Sequence, residues 1–320
     1  MTDVKIIANG FGSRDVLEVV AHAPAQPGRG EVTIGVRAAG VNPLDYKTYD
    51  GTLGTDRSTL PLPLGWEVAG VVTAVGPDAI GRAGRIGVGD EVIAYPISGG
   101  YASKVTVPAM TVVPKPARLS FEAAAGLMLT GVTAIHALTA AGIVKNTTVL
   151  VHGVSGGVGW PTAQIALADG ARVLGTASAR HHARLKDQGI VPIAYGNGLL
   201  ERVQQAAPEG IDGVVDTVGT DEAIDVSLQL VPQRRLIVSA AAFHRATDGI
   251  ALIGFAPGVE ADPGHEIRDA ARLRLTALVE DGRLTVPIAR TFSLDDVAAA
   301  HDLLAGGHAG GKVILKPPSE

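Results

Sequence analysis

Between Gly153 and Gly159 the chain reads Gly-Val-Ser-Gly-Gly-Val-Gly. Glycines crowded this way let backbone N–H groups come close to an anion, and a helix that starts there adds its positive end. The flanks fit that chemistry. Val149, Leu150 and Val151 form a short apolar run rich in strand-forming residues before the turn. Ala163, Ile165, Ala166 and Leu167 give the following segment a helical apolar side, Gly170 ends it, and Arg172-Val-Leu174 begins a second strand. Strand, glycine turn, helix, strand is the order of a dinucleotide-binding unit. It assigns Ser155, Gly156, Gly157 and Val158 to a pyrophosphate. A tight structural turn is the alternative, and the flanking elements disfavour it.

The end of the second strand selects the nucleotide. Sites for the unphosphorylated ribose place an Asp or Glu about 20 residues beyond the glycine turn. Here the strand runs out as Gly175-Thr-Ala-Ser-Ala-Arg180, with no acid. Ser178 can donate to a phosphate and Arg180 can pair with one bidentately. A 2′-phosphate fits, which makes NADPH the expected cofactor. Arg180 and Arg184 can also be the solvated face of the next helix; Arg184 is read that way, and Arg180 is assigned to the phosphate.

Stepping outward, these residues need a parallel sheet. Strand candidates Val149–Val151, Arg172–Gly175, Ile211–Asp216 and Arg235–Val238 alternate with helix candidates after Gly156, at 179–187, 199–206 and 221–230. Such alternation predicts a parallel sheet covered on both faces. The stretch 249–255 supplies a last strand. Before this region, up to about residue 118, the texture is β-rich, with candidates at 32–36, 68–75 and 91–94 between Gly and Pro clusters. After Gly258 it changes again. Residues 266–281 place Ile267, Ala271, Leu275 and Leu278 at helical spacing, Ser293 is set as the N-cap of a helix to about Leu304, and 312–315 is a final strand.

Composition narrows the classes. The 320 residues favour two domains and a sizeable core, and the −5 charge without a basic tract disfavours nucleic acid. The absence of cysteine excludes disulfides, zinc–thiolate sites and thiol nucleophiles together. The opening segment lacks the apolar core of a secretion signal. Residues 123–144 carry no charged side chain, yet they are rich in Ala, Gly and Thr and contain His136, so a buried helical segment is expected rather than a membrane span. The cytoplasm is the default compartment.

Further blocks carry a resemblance over nearly the whole chain: Gly40-Val-Asn-Pro-Leu-Asp-Tyr-Lys47, Gly65-Trp-Glu-Val-Ala-Gly-Val-Val72, Val88-Gly-Asp-Glu-Val92, Gly99-Gly-Tyr-Ala102, Leu129-Thr-Gly-Val-Thr-Ala134 and Gly310-Gly-Lys-Val-Ile-Leu315. In this order and spacing they resemble the medium-chain dehydrogenase/reductase family, in its zinc-free, zeta-crystallin-like quinone oxidoreductase branch. The resemblance implies an α/β chain with a GroES-like β-barrel catalytic domain (1–118), a Rossmann NADP(H)-binding domain with a doubly wound parallel sheet (119–258), and a C-terminal return to the first domain (259–320). Asn42 and Trp66 stand where zinc-dependent relatives carry a Cys and a His, and Leu44 stands where alcohol dehydrogenases place a hydroxyl relay. No metal is therefore expected, and alcohol oxidation is disfavoured. The glycine turn is the form that resembles the zinc-free branch.

The resemblance also assigns Thr130, Tyr195, Val218, Ser239, Ala240, Phe255 and Lys312 to the cofactor. A lone tyrosine such as Tyr195 is otherwise a packing residue, and Asp216, which precedes Val218, is otherwise a turn former. For the chemistry, hydride transfer leaves negative charge on an oxygen, which needs hydrogen-bond donors. The candidates are Asn42, Tyr46, Lys47, Tyr49 and Thr130. Asn42 can equally form the turn before Pro43, Tyr46 can be packing, and Lys47 can be a surface lysine. Asp45 and Glu67 are expected to serve structure through hydrogen bonds. The proton comes from a side chain or from water. The expected activity is NADPH-dependent reduction of a small quinone or α,β-unsaturated carbonyl; an enoyl-thioester reductase and a non-catalytic NADPH-binding redox sensor are the alternatives. A homodimer formed through the apolar edge 250–254 is expected, since an unpaired apolar edge invites association.

Overall fold

The computed structural model describes residues 3–254, 264–307 and 309–318. The chain forms two compact units: residues 1–129, 272–282 and 286–320 make the first, and residues 130–271 and 283–285 the second.

The first unit opens with β1 (Val4–Ala8) and β2 (Leu17–Ala21), an antiparallel pair, and β3 (Glu31–Val41). A short helix, α1 (Pro43–Tyr49), follows directly. Then come β4 (Leu62–Pro63), β5 (Val68–Val75), β6 (Ile80–Gly81), β7 (Gly84–Arg85), β8 (Glu91–Ala94), β9 (Lys104–Pro108) and β10 (Val112–Pro114). β3 is the hub of the main sheet, pairing antiparallel with both β5 and β9. Its Val32, Ile34 and Val36 are buried, as β-branched side chains on a covered sheet face should be. The core around them includes Ile6, Val68, Val92, Tyr49 and Tyr101.

Two helices, α2 (Phe121–Ala125) and α3 (Met128–Ala140), come next. The second unit then alternates strand and helix up to its last two strands: β11 (Thr148–His152), α4 (Gly159–Ala168), β12 (Arg172–Thr176), α5 (His182–Asp187), β13 (Val191–Ile193), α6 (Leu199–Ala206), β14 (Gly213–Asp216), α7 (Asp221–Leu230), β15 (Ile237–Ser239) and β16 (Ala251–Leu252). All pairings are parallel, in the order β13-β12-β11-β14-β15-β16. This is the doubly wound order with its switch point between β11 and β14, where a crevice forms beyond the carboxyl ends of the strands. Leu150, Leu174, Val214 and Ile237 of the sheet share a core with Leu199, Val203 and Ile224 of the helices. The last strand is shorter than the 249–255 stretch suggested, and Phe255 lies outside the described residues.

A long helix, α8 (His265–Glu280), precedes the return of the chain to the first sheet. β17 (Ile288–Ser293), α9 (Val297–Ala305) and β18 (Lys312–Lys316) complete the first unit. β18 lies between β17 and β3, so residues near the C-terminus sit beside Ala39–Val41. That placement matters for the site. Among the described residues no helix is long and apolar enough to cross a membrane.

Candidate active site

In the second unit the glycine turn sits at the switch point. Gly153 has a left-handed φ of 72°, and a Cβ there would fall 2.5 Å from Val218 Cγ1 and 2.8 Å from Thr217 Oγ1. The turns after β11 and β14 are thus in direct contact, closed by a 2.7 Å hydrogen bond from Thr217 Oγ1 to the His152 carbonyl. Gly159 opens α4 with no room for a side chain, since a Cβ would lie 2.2 Å from the Gly153 carbonyl oxygen. Ser155, Gly156, Gly157 and Val158 are half-buried at the start of α4, where Trp160 N bonds the Gly156 carbonyl at 3.0 Å. A dinucleotide pyrophosphate fits this cradle: the glycines hold the backbone bare and the helix start supplies donors.

Beneath the turn lies a buried histidine. His152 Nε2 is 3.1 Å from Ser227 Oγ and Nδ1 is 3.4 Å from Thr176 Oγ1, which accepts from Gly153 N at 3.0 Å. Burial pulls the His152 imidazole down to about 4, against the opposing charges of Asp216 and Glu222. It stays neutral and ties the first residue of the turn to β12.

Asp216 organises the neighbouring turn. Its carboxylate accepts from Val218 N and Gly219 N at 3.1 Å and from Ser239 Oγ at 2.5 Å. Ser239 Oγ in turn accepts from Ala242 N at 2.8 Å. Ser239 is fully buried, so its hydroxyl serves this turn, while Ala240 N bonds the Asp216 carbonyl at 3.0 Å. The structure therefore gathers Val218, Ser239 and Ala240 around one residue, Asp216. Val218 is itself 46% exposed and free to meet a ligand.

At the end of β12, Ser178 is half-buried and Arg180 exposed, with Arg180 Nε 3.1 Å from His181 Nε2. Tyr195, beyond β13, is 52% exposed, which is not the burial of a packing residue. Arg184, read as solvated, instead lays its guanidinium over the Trp160 ring at 3.8 Å from the centroid, a cation–π contact. Thr130 lies buried in α3.

In the first unit α1 carries the other candidates. Asn42 and Asp45 form a capping box: Asn42 N donates to Asp45 Oδ2 at 2.8 Å. Asp45 Oδ1 also accepts from Gly65 N at 3.2 Å. Burial pushes the Asp45 carboxyl up to about 7, opposed by hydrogen bonds from Asn42 and Tyr101. Tyr46 and Lys47 are half-buried, and burial raises the Tyr46 phenol.

The Asn42 side chain is engaged at both ends. Nδ2 donates to Glu67 Oε1 at 3.0 Å, and Oδ1 accepts from Lys312 Nζ at 2.5 Å. Lys312 Nζ also reaches Glu67 Oε1 at 3.0 Å, and Glu67 Oε2 accepts from Leu129 N at 2.9 Å. All three side chains are buried. Two glycines make the space: a Cβ on Gly40 would lie 2.5 Å from Glu67 Oε1, and one on Gly126 would lie 2.9 Å from Lys312 Cγ. Lys312, assigned to the cofactor by resemblance, holds its ammonium inside this ion pair. Glu67, Tyr101 and His301 were not singled out as site residues. The Asn42–Asp45 spacing is a capping signal that marks α1, whereas His301 has no local signal at all.

Comparison with known proteins finds two family models. One described as an alcohol dehydrogenase GroES-like domain matches residues 28–117, and one described as a zinc-binding dehydrogenase matches residues 191–315. A quinone oxidoreductase of Pseudomonas aeruginosa is 33% identical over 328 residues, covering 96% of this chain and 97% of that protein. The human synaptic vesicle membrane protein VAT-1 homolog is 30% identical over 347 residues, covering 98% of this chain and 86% of that protein. Among solved structures, the CurK enoyl reductase superposes with a TM-score of 0.84 at 27% identity, over 99% of this chain and 100% of its own. The zinc in one of those descriptions does not fit the donor set here. Trp66 offers no lone pair for a metal, and a cation at Asn42 and Glu67 would face the Lys312 ammonium already bonded to both.

Proposed function

Because the chain belongs to the medium-chain dehydrogenase/reductase family, in its quinone oxidoreductase branch, we propose that it is a zinc-independent, NADPH-dependent reductase of quinones or α,β-unsaturated carbonyls. The observation that carries the cofactor is the carboxyl end of β12. The chain leaves the strand as Ala177-Ser178-Ala179-Arg180, with no carboxylate for a ribose diol and with a guanidinium exposed for a 2′-phosphate.

NADPH, when bound, supplies a hydride. The chain's own residues do the rest. Ser155 to Val158 and the start of α4 hold the pyrophosphate. Ser178 and Arg180 hold the 2′-phosphate, and Tyr195 lies against the adenosine. Thr130, Val218 and Ala240 orient the nicotinamide end. Tyr46 and Lys47 donate to the substrate oxygen on which charge gathers. Asn42 acts at one remove, because its amide is already held by Glu67 and Lys312. A conjugated acceptor suits a site without a Lewis acid, since conjugation spreads the charge that a metal would otherwise stabilise. The proton that completes the reduction comes from Tyr46 or water. Two copies associate through β16, the edge of the parallel sheet.

The test is direct. NADPH fluorescence should change on binding, NADPH should bind at least about tenfold tighter than NADH, and a panel of small quinones and enones should consume it. Tight NADPH binding without turnover of any panel member would sink this reading. A second reading, an enoyl-thioester reductase, is supported by the likeness to the CurK enoyl reductase. An enoyl thioester in the same panel separates the two.

A further inference from the structure

The loop between β13 and α6, Ala194-Tyr-Gly-Asn-Gly198, is held by two side chains to which nothing above gives a role. One is Arg202, the fourth residue of α6. Its Nε donates to the Ala194 carbonyl at 2.9 Å, its Nη2 to the Gly196 carbonyl at 2.8 Å and its Nη1 to the Asn197 carbonyl at 2.7 Å. The other is Glu222, at the start of α7, whose Oε2 accepts from Gly196 N at 3.0 Å. Both side chains belong to half-buried residues. The bonds fall on residues 194, 196 and 197, on either side of Tyr195, which is 52% exposed.

Packing around Gly196 does not fix the path of this loop. Gly196 and Gly198 hold left-handed φ values of 91° and 79°, and a Cβ on Gly196 would meet no heavy atom within 4 Å. Glycines in such a place leave the backbone free to wander unless polar groups hold it. A guanidinium suits the task. It presents five N–H donors in one rigid plane and no acceptor, so a single side chain binds three carbonyls of a curved loop together. A lysine ammonium is a point charge on a flexible stem and fixes no plane. A Cβ on Gly198 would lie 3.1 Å from Arg202 Nη1, so the guanidinium rests against the glycine that begins the helix.

The loop also stands beside the turn assigned to the 2′-phosphate. β12 and β13 are parallel neighbours, and Ala177 N donates to the Ile193 carbonyl at 3.0 Å. The chain therefore leaves the two strands side by side, with Ser178 and Arg180 following one and Tyr195 following the other. All of these residues belong to the second unit. Holding the backbone of an exposed aromatic residue still costs conformational entropy and buries none of its ring. For a ligand the same restraint is a gain, because the ordering is complete before binding. A fixed tyrosine face suits a flat base, which stacks on it.

We propose that Arg202, together with Glu222, is a positioning residue for the cofactor: it holds the backbone of residues 194–197 so that the Tyr195 ring presents a fixed face to the adenosine. The inference rests on the NADPH reading and adds to it the groups that fix the ring. Adenosine is common to NADPH and NADH, so the clamp serves both nucleotides equally. Arg180, by contrast, is assigned to the 2′-phosphate and serves only one.

The test measures NADPH and NADH binding by fluorescence in the full-length protein, in Arg202→Met, in Tyr195→Ala and in the double variant. Tyr195→Ala should weaken both nucleotides about tenfold, the size of one lost aromatic stacking contact. Arg202→Met should weaken both by about three- to tenfold, the cost of ordering the loop on binding. Added to Tyr195→Ala it should cost nothing more, since the two residues act as one. Without nucleotide, the Gly196 amide should exchange its hydrogen faster in Arg202→Met while β12 and β13 exchange as in wild type. Wild-type affinity in Arg202→Met, a loss confined to NADPH, unchanged Gly196 exchange, or a loss as large in the Tyr195→Ala background as in wild type would each overturn the inference and leave the NADPH reading standing. A wild-type protein that binds neither nucleotide would overturn that reading, and the inference with it. Should Arg202→Met not fold, Glu222→Ala, which removes the acceptor of Gly196 N, takes its place with the same expected outcomes.

Discussion

Lys312 Nζ lies 3.0 Å from Glu67 Oε1, with the two side chains only 4% and 0% exposed. The residues come from opposite ends of the chain, joined because β18 lies next to β3. The pair holds the Asn42 amide at both ends, so the carbonyl oxygen and the amide nitrogen of that residue cannot exchange places.

Removing that cation should be expensive. Lys312→Met leaves the Glu67 carboxylate buried with only Asn42 and Leu129 as donors, and a stability loss of about 3–5 kcal/mol is expected. Urea unfolding measures it. The double variant Lys312→Met with Glu67→Gln removes the stranded charge and should recover part of the loss. A Lys312→Met protein as stable as wild type would show that the ion pair contributes nothing net.

The glycine turn should tolerate nothing larger at its helix start. In Gly159→Ala the new methyl would lie 2.2 Å from the Gly153 carbonyl, so the turn must open. NADPH binding, followed by fluorescence, is expected to fall by at least about tenfold as the backbone donors lose register. Gly189→Ala changes a glycine with open space around it but a φ of 79°. It should destabilise the protein by about 1 kcal/mol and leave cofactor affinity alone.

Cofactor choice should respond to Arg180. A guanidinium–phosphate hydrogen bond contributes about 1.5–3 kcal/mol, so Arg180→Ala should weaken NADPH about 10- to 100-fold and leave NADH nearly unchanged. Titrating both nucleotides into both proteins gives the answer. Equal weakening of the two would mean that Arg180 does not meet the 2′-phosphate.

Acid should destabilise the fold through buried histidines. His301 and His152 are held neutral, with values pulled by burial to about 3 and about 4. Once unfolded they protonate near 6.5. Their contribution is therefore complete above that value and is lost as the pH falls toward the folded values. Asp45 works in the opposite direction: held at about 7 when folded, it retains a proton that the unfolded chain releases. Between about pH 6 and pH 5 the unfolded state holds close to two protons on these histidines, while the folded state holds about one, on Asp45. The net loss from these groups is about 1.4 kcal/mol per pH unit. His301→Gln should bring that slope close to zero in urea unfolding at several pH values.

Much of the second unit was legible in the sequence because its signals are local. α6 and α7 begin and end at the bounds of their candidate stretches, and in the first unit β5 and β8 do the same. Edges were less legible. The strand expected over 249–255 is only Ala251–Leu252, since an apolar run does not say how many of its residues find a partner. Ser293, expected as a helix N-cap, is the N-cap of a 3₁₀ turn that precedes α9, and its hydroxyl donates to Asp296 Oδ2 at 2.8 Å. Short polar side chains have several nearby partners, and propensity does not rank them.

By itself the sequence determined the glycine turn between strand and helix and the residue types that follow β12. Each is a matter of which residue types stand within a few positions of one another. Only the tertiary structure decided what the buried polar groups do. It turned Ser239 inward to Asp216, engaged both ends of Asn42, and brought His301 between Tyr49 and Tyr101. Those partners are 23 to 270 residues apart. A buried polar group must find a hydrogen-bond partner, but which one it finds depends on strand order and helix packing, not on the residues beside it in the chain.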